Sequence, residues 1–181
     1  MILYTIGHSN HPIDVFLQPV ADKEINQLVD IRSRPYSRFN PQFNEKALQQ
    51  TLLEHGVEYI YLGNSLGGRP SDPSCYIHGV IPAKSDEIYR EVDYTRVMQK
   101  AWFIEGIHTL LDLASQQTTC ILCSEKDPAH CHRQHLIARY LLAHHPDVTI
   151  QHILADGSLI NATSIVVEND WHDQTRLPLD F

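Results

Sequence analysis

The sequence predicts an α/β fold: a single three-layer domain over residues 1–181, with a mainly parallel open sheet of about five strands and helices on both faces. Three observations carry this expectation. Short apolar, β-branched runs recur along the chain, helix-like patterns separate them, and polar turn residues follow the ends of the runs.

The first run, Ile2 to Ile6, is strand-like and leads into Gly7, His8 and Ser9. The second, Leu28 to Ile31, leads into Arg32, Ser33, Arg34 and Pro35. Asn44 is placed to cap a helix carrying Leu48, Leu52 and Leu53, with Gly56 as its stop signal. Val57 to Leu62 makes a third strand that meets Gly63 and Asn64. A longer helix is expected from about Tyr94 to Ser115, ahead of a fourth strand, Thr118 to Cys123. Pro128 suits the first turn of a helix running to about His145. Val148 to Leu154 makes the fifth strand, and Leu159 to Val167 is either an edge strand or a loop. The stretch from about 63 to 92 breaks this rhythm. A loop of that length inside a domain is uncommon, so it is expected to be a loop or lid insertion.

Composition narrows the function classes. A chain of 181 residues with 43% hydrophobic content can build one core, which excludes disordered, collagen-like and coiled-coil chains. No run approaches the ~20 apolar residues of a membrane span, and MILYTIGHSN lacks the pattern of a signal peptide. The expectation is a soluble cytoplasmic protein with no membrane partner. The formal charge of −8 disfavours nonspecific wrapping of nucleic acid but leaves room for a local basic site. Four Cys are too few for a secreted disulfide scaffold and are expected to be free thiols.

In an open parallel sheet, ligands sit beyond the carboxyl ends of the strands. Alternation places Asp30, Arg32 and Arg34 on one side of an extended segment, where two guanidiniums attract phosphate or carboxylate. Arg38 lies close behind. The segment CSEKDPAHCHR, 123–133, puts one thiol at a strand end and another near a helix start, with His on both sides of the second. Such a set serves a thiolate nucleophile or soft metal ligation. Continued backward, the apolar stripe Leu136, Ile137, Tyr140, Leu141 passes through Arg133 with His132 at its flank. In a regular helix Arg133 then faces the sheet edge and Cys131 points away, so His132 and Arg133 are favoured over Cys131. Bringing Cys131 to Cys123 requires an irregular turn. His8 and Glu125 are candidates for proton transfer, and Ser9 follows at the same strand end.

Several motifs are excluded. Cys120 and Cys123 have C-x-x-C spacing but lie in a predicted strand, where residues three apart face opposite sides. No glycine fingerprint for dinucleotides, no P-loop and no nucleophile elbow is present.

The segments TIGHS (5–9), VDIRSRPYSRFNPQF (29–43), YLGNSLGGR (61–69), CSEKDPAHCHR (123–133) and HILADG (152–157) together resemble a bacterial and archaeal family catalogued as domain of unknown function four-eighty-eight. Its C-x-E-x-x-P-x-x-C-H-R signature is matched from Cys123 through Glu125, Pro128, Cys131 and His132 to Arg133. The resemblance implies a compact cytoplasmic α/β domain whose activity is unknown, and it counts Cys131 among the signature residues.

Placement of these residues leads to an enzyme, a hydrolase or transferase, that holds an anionic substrate at the strand C-termini. The substrate is an anionic small molecule such as a nucleotide or phosphorylated metabolite, or a nucleic-acid end. Arg32, Arg34, Arg133 and Ser9 would bind it; His8, Asp30, Glu125 and His132 would move protons; Cys123 and Cys131 would be nucleophile or support. One alternative is a metal-binding or thiol redox protein centred on Cys123, Cys131 and His132. Another is a noncatalytic binding module, which predicts an edge without a concave pocket. The sequence names no cofactor and no oligomeric state, and the leading reading assigns no metal ligand.

Overall fold

The computed structural model describes residues 1–83 and 91–165. Its strands are Ile2–Gly7 (β1), Gln27–Asp30 (β2), Glu58–Tyr61 (β3), Thr119–Cys123 (β4), Thr149–Ile153 (β5) and Leu159–Asn161 (β6). They form one sheet in the order β3-β2-β4-β1-β5-β6, parallel except for β6, which runs antiparallel to β5. From β1 the chain passes over the position of β4 to reach β2, and β4 later fills the gap between them. The strand order therefore reverses around β4, and the carboxyl ends of β1, β2 and β4 adjoin. Gly7 lies level with Cys123, and Asp30 with Leu122.

Helices cover both faces, as period-2 alternation in buried strands demands. Cys120 and Leu122 pack with Ile6, Leu28 and Ile153 against Phe16 and Val20 of helix Ile13–Asp22 (α1) and Leu48 and Leu52 of helix Glu45–Glu54 (α2). On the other face, Ile121, Leu3, Val29 and Ile150 meet Phe103, Ile107 and Leu110, with Leu136, Ile137 and Leu141. The predicted three-layer class is the one found. Among the described residues, no helix is long and apolar enough to cross a membrane.

Local departures have local causes. The sequence analysis names no particular helix between the first two strands; α1 forms there, with Pro19 inside it and Phe16 and Val20 buried on either side of the proline. The helix expected over Tyr94 to Ser115 is two helices, Tyr94–Val97 (α4) and Ala101–Gln116 (α5). Asp93 caps the first by accepting from the Thr95 and Arg96 N–H groups, and extended Lys100 separates the two. The sheet has six strands rather than about five, because the turn at Gly157, with φ of 80°, returns the chain as β6. Val166 and Val167 of the expected tail strand lie outside the described residues, as do residues 84–90 of the expected insertion. The rest of the 63–92 stretch holds helix Gly63–Leu66 (α3), a 3₁₀ turn at Pro73–Cys75 and a bridge between Tyr76 and Val92. Leu66, Cys75, Tyr76 and Val92 are buried, so this part packs into the core instead of standing free.

The largest departure follows β4. In place of a helix starting at Pro128, the chain makes a 3₁₀ turn at Pro128–His130, passes through extended Cys131 (φ −130°, ψ 144°) and enters a π-helix, Arg133–Ala138, continued by helix Arg139–His144 (α6). Asp127 closes the short turn by accepting from the Ala129 N–H at 2.8 Å. π-Turns of this kind recur at functional sites.

Candidate active site

The extended conformation at Cys131 turns its side chain back toward the end of β4. Cys123, Glu125, Cys131 and His132 each offer one donor atom, and these atoms all lie within 4.8 Å of one another. Cys123 Sγ is 2.7 Å from Glu125 Oε2 and 3.4 Å from His132 Nδ1. Cys131 Sγ is 3.3 Å from the same carboxylate oxygen and 4.0 Å from the same ring nitrogen. His132 Nε2 donates to the Ile31 carbonyl at 3.3 Å, which leaves Nδ1 facing the sulfurs. The Arg133 N–H points at Cys131 Sγ, 3.4 Å away.

The electrostatics are those of a tightly coupled group. Burial opposes ionisation of Cys123, but its hydrogen bond with Cys131 and the nearby His132 outweigh this and hold the thiol well below its usual range. Burial and the same hydrogen bond push Cys131 up. Burial works against a charged His132, yet Cys123, Glu125 and the Ile31 carbonyl raise its affinity for a proton. Burial and the Cys123 charge raise Glu125.

The loop after β2 supplies the other half of the rim. Asp30 accepts from the Arg32 backbone N–H at 3.0 Å and from Arg32 Nε at 2.9 Å, and Tyr59 donates to Asp30 Oδ2 at 2.8 Å. Arg32 Nη1 donates to His8 Nε2 at 3.1 Å, and His8 Nδ1 donates to the Ser9 carbonyl at 2.7 Å. His8 is thereby fixed as the neutral tautomer. Burial and then the Arg32 charge lower its pKa to about 4, and its ring stacks on Phe43 at 4.3 Å. Between the two loops lies a cavity of about 400 Å³ lined by Arg32, Arg34, Arg69, Cys123, Glu125 and His132, together with Ser33, Tyr36, Gly68 and Ser124.

Of the residues singled out in the sequence, Cys123, Glu125, His132, Arg32 and Arg34 line this cavity. Cys131 joins the four-donor group behind it. The expectation that a regular helix turns Cys131 away and aims Arg133 at the edge is overturned. Arg133 is fully buried, and its Nη1 and Nη2 donate to the Glu125 and Lys126 carbonyls at 2.7 and 2.9 Å. It holds the loop that carries the site and does not line the cavity. Asp30 and His8 sit one layer below, where they orient Arg32. Ser9 has φ of 49° and points its hydroxyl at Asn10, outside the cavity lining. Five lining residues were not among the candidate site residues: Ser33, Tyr36, Gly68, Arg69 and Ser124. Arg69 ends the Gly67-Gly68-Arg69 run, and its backbone N–H donates to Ser33 Oγ at 2.9 Å, which joins the two loops. The only sequence signal for it is that glycine pair, which ordinary turns also carry.

A family model described as domain of unknown function DUF488 matches residues 12–141. The chain belongs to this family. No curated protein and no solved structure matches it. In this DUF488 chain the matched region contains the loops after β2 and β4 and the Gly63 to Arg69 segment, which together form the cavity. Two glycines explain how closely the parts approach. A Cβ on Gly7 would lie 1.8 Å from the Glu125 carbonyl oxygen and 2.3 Å from Arg133 Nη1. A Cβ on Gly68 would press on the His132 ring at 2.8 Å.

Proposed function

We propose that this chain is an enzyme that holds an anionic substrate between Arg34, Arg69 and Arg32 and acts on it at the Cys123, Glu125 and His132 side of the cavity. One observation carries the reading: a single cavity of about 400 Å³ is lined by three arginines and by three of the four clustered donors. Guanidiniums in a concave site recognise phosphate or carboxylate in bidentate fashion. Asp30 already neutralises Arg32 and fixes its plane, so Arg34, exposed at the cavity, is the group placed to balance substrate charge, with Arg69 beside it in the lining.

The substrate class follows from the rim. Arg34, Tyr36, Arg38 and Phe39 are exposed on one loop, with Tyr36 at 72% and Phe39 at 86% exposure. Interleaved arginines and free aromatic faces suit phosphates and bases, which favours a nucleotide or a nucleic-acid end over a small phosphorylated metabolite. The reaction is hydrolysis or group transfer at the bond beside the anionic group. A noncatalytic module predicts a flat edge, and the cavity favours an enzyme over it. A metal-binding or thiol redox centre at Cys123, Cys131 and His132 draws on the same donors and supplies the reacting groups rather than a separate function.

The test is a calorimetric titration with nucleoside monophosphates and with inorganic phosphate. Arg34→Ala and Arg69→Ala are expected to weaken binding at least about 10-fold each, the value of a hydrogen bond to a charged group, with an unchanged melting profile for the exposed Arg34. Equal affinity of both variants and wild type contradicts the reading.

A further inference from the structure

We infer that Cys123, Cys131 and His132 bind a divalent transition-metal ion of the zinc class, with Glu125 as a fourth ligand on the cavity side. The donor chemistry selects the ion: two sulfurs and an imidazole suit zinc and disfavour magnesium or calcium, which take oxygen ligands. Geometry agrees. Zinc bond lengths of ~2.0–2.3 Å set ligand-to-ligand edges of about 3.3–3.8 Å in a tetrahedron. The separations from Cys123 to His132 and from Cys131 to Glu125, 3.4 and 3.3 Å, fall in this range, and that from Cys131 to His132, 4.0 Å, lies slightly above it. The fourth, 2.7 Å from Cys123 to Glu125, is shorter than such an edge, so an ion would move that carboxylate outward. Glu125 is the half-buried member of the four and faces the cavity, whereas the other three are fixed and buried.

The surroundings have the features that metal ligands require. His132 spends its second ring nitrogen on the Ile31 carbonyl, which orients the ring and frees Nδ1 for an ion. Cys131 Sγ receives the Arg133 N–H. The buried Arg133 guanidinium meets two backbone carbonyls, so a fixed positive charge stands beside the cluster. Without a cation, two thiols and a carboxylate share one buried point at a cost that a divalent ion removes. Such an ion supplies Lewis-acid polarisation, or a lowered pKa for bound water, at the edge of the cavity. Its role in turnover rests on the enzyme reading above; its binding rests on the four donors alone.

The experiment uses the full chain purified without a histidine tag. Elemental analysis is expected to find about one zinc-class equivalent per chain. After chelator treatment, added cobalt(II) is expected to give sulfur-to-cobalt charge-transfer absorption in the near ultraviolet. Cys131→Ser is expected to weaken zinc at least about 100-fold in competition with a chromophoric chelator, and Cys75→Ala, remote from the cluster, to leave it unchanged. The cobalt spectrum needs no variant, so it stands if Cys131→Ser fails to fold. Protein that holds no metal and gives no thiolate–cobalt band overturns the inference, as does a Cys123–Cys131 disulfide in protein purified under reducing conditions. Metal bound without nucleotide binding retains the inference and removes the substrate reading. Nucleotide binding by metal-free protein that gives no cobalt band removes the inference alone.

Discussion

The loop after β2 and the loop after β4 meet at one cavity but are built on opposite principles. The first displays its chemistry: Arg34, Tyr36, Arg38 and Phe39 are exposed, and its backbone is pinned by the Ser37 N–H to Asn44 Oδ1 contact at 2.6 Å and the Glu45 N–H to Pro35 carbonyl bond at 2.9 Å. The second hides its chemistry: Cys123, Cys131, His132 and Arg133 are all buried, and the backbone is bent around them by a 3₁₀ turn, an extended residue and a π-helix. The contrast teaches a division of labour. A surface loop can recruit charge cheaply, whereas reacting groups need enclosure, and enclosure demands internal partners such as Arg133.

This contrast can be broken first at Arg133. Removing its guanidinium in Arg133→Leu leaves the Glu125 and Lys126 carbonyls without donors, which costs about 3 kcal/mol and lowers the melting temperature by roughly 6–12 °C. A melting profile equal to wild type would show that the β4 loop does not depend on this residue.

The support beneath the β2 loop is tested by pH. The pKa of His8 falls from 6.5 to about 4 on folding, because burial and Arg32 both disfavour its charged form. The unfolded chain therefore binds this proton more readily. The contribution of His8 to stability is complete above about pH 6.5 and is lost as the pH falls toward 4. Thermal melts between pH 7 and 4 are expected to show a decline that is shallower in His8→Asn; parallel curves would remove His8 from the support.

Arg34→Ala is the counterpart of Arg133→Leu. It is expected to change stability by less than about 0.5 kcal/mol while costing about 10-fold in nucleotide affinity, because Arg34 is exposed at the cavity. The smallest effect is expected for Phe39→Ser, about 5-fold weaker nucleotide binding with unchanged affinity for inorganic phosphate. Equal losses for both ligands would mean that Phe39 does not meet a base.

The same contrast explains what the sequence made legible. Strand runs and their order of appearance pointed to the α/β class, because alternation and β-branching act locally. Arg32, Arg34, Cys123, Glu125 and His132 were legible for a related reason: each follows closely on a strand end, or opens the helix beyond one, and parallel topology collects such ends. Cys131 and Arg133 were misplaced because helical periodicity assumes a regular helix, and the turn closed by Asp127 rotates both side chains. Arg69 was missed because it reaches the cavity through tertiary packing of the Gly63 to Arg69 segment against Ser33, a contact spanning 36 positions. Nothing in local pattern encodes that meeting.

That the two loops act on one ligand is tested most directly by a double-mutant cycle on nucleoside monophosphate affinity with Arg34→Ala and Glu125→Gln. Shared contact with one bound molecule predicts a coupling energy of at least about 0.5 kcal/mol between the two changes. Strict additivity, with each loop contributing independently, would contradict a single site.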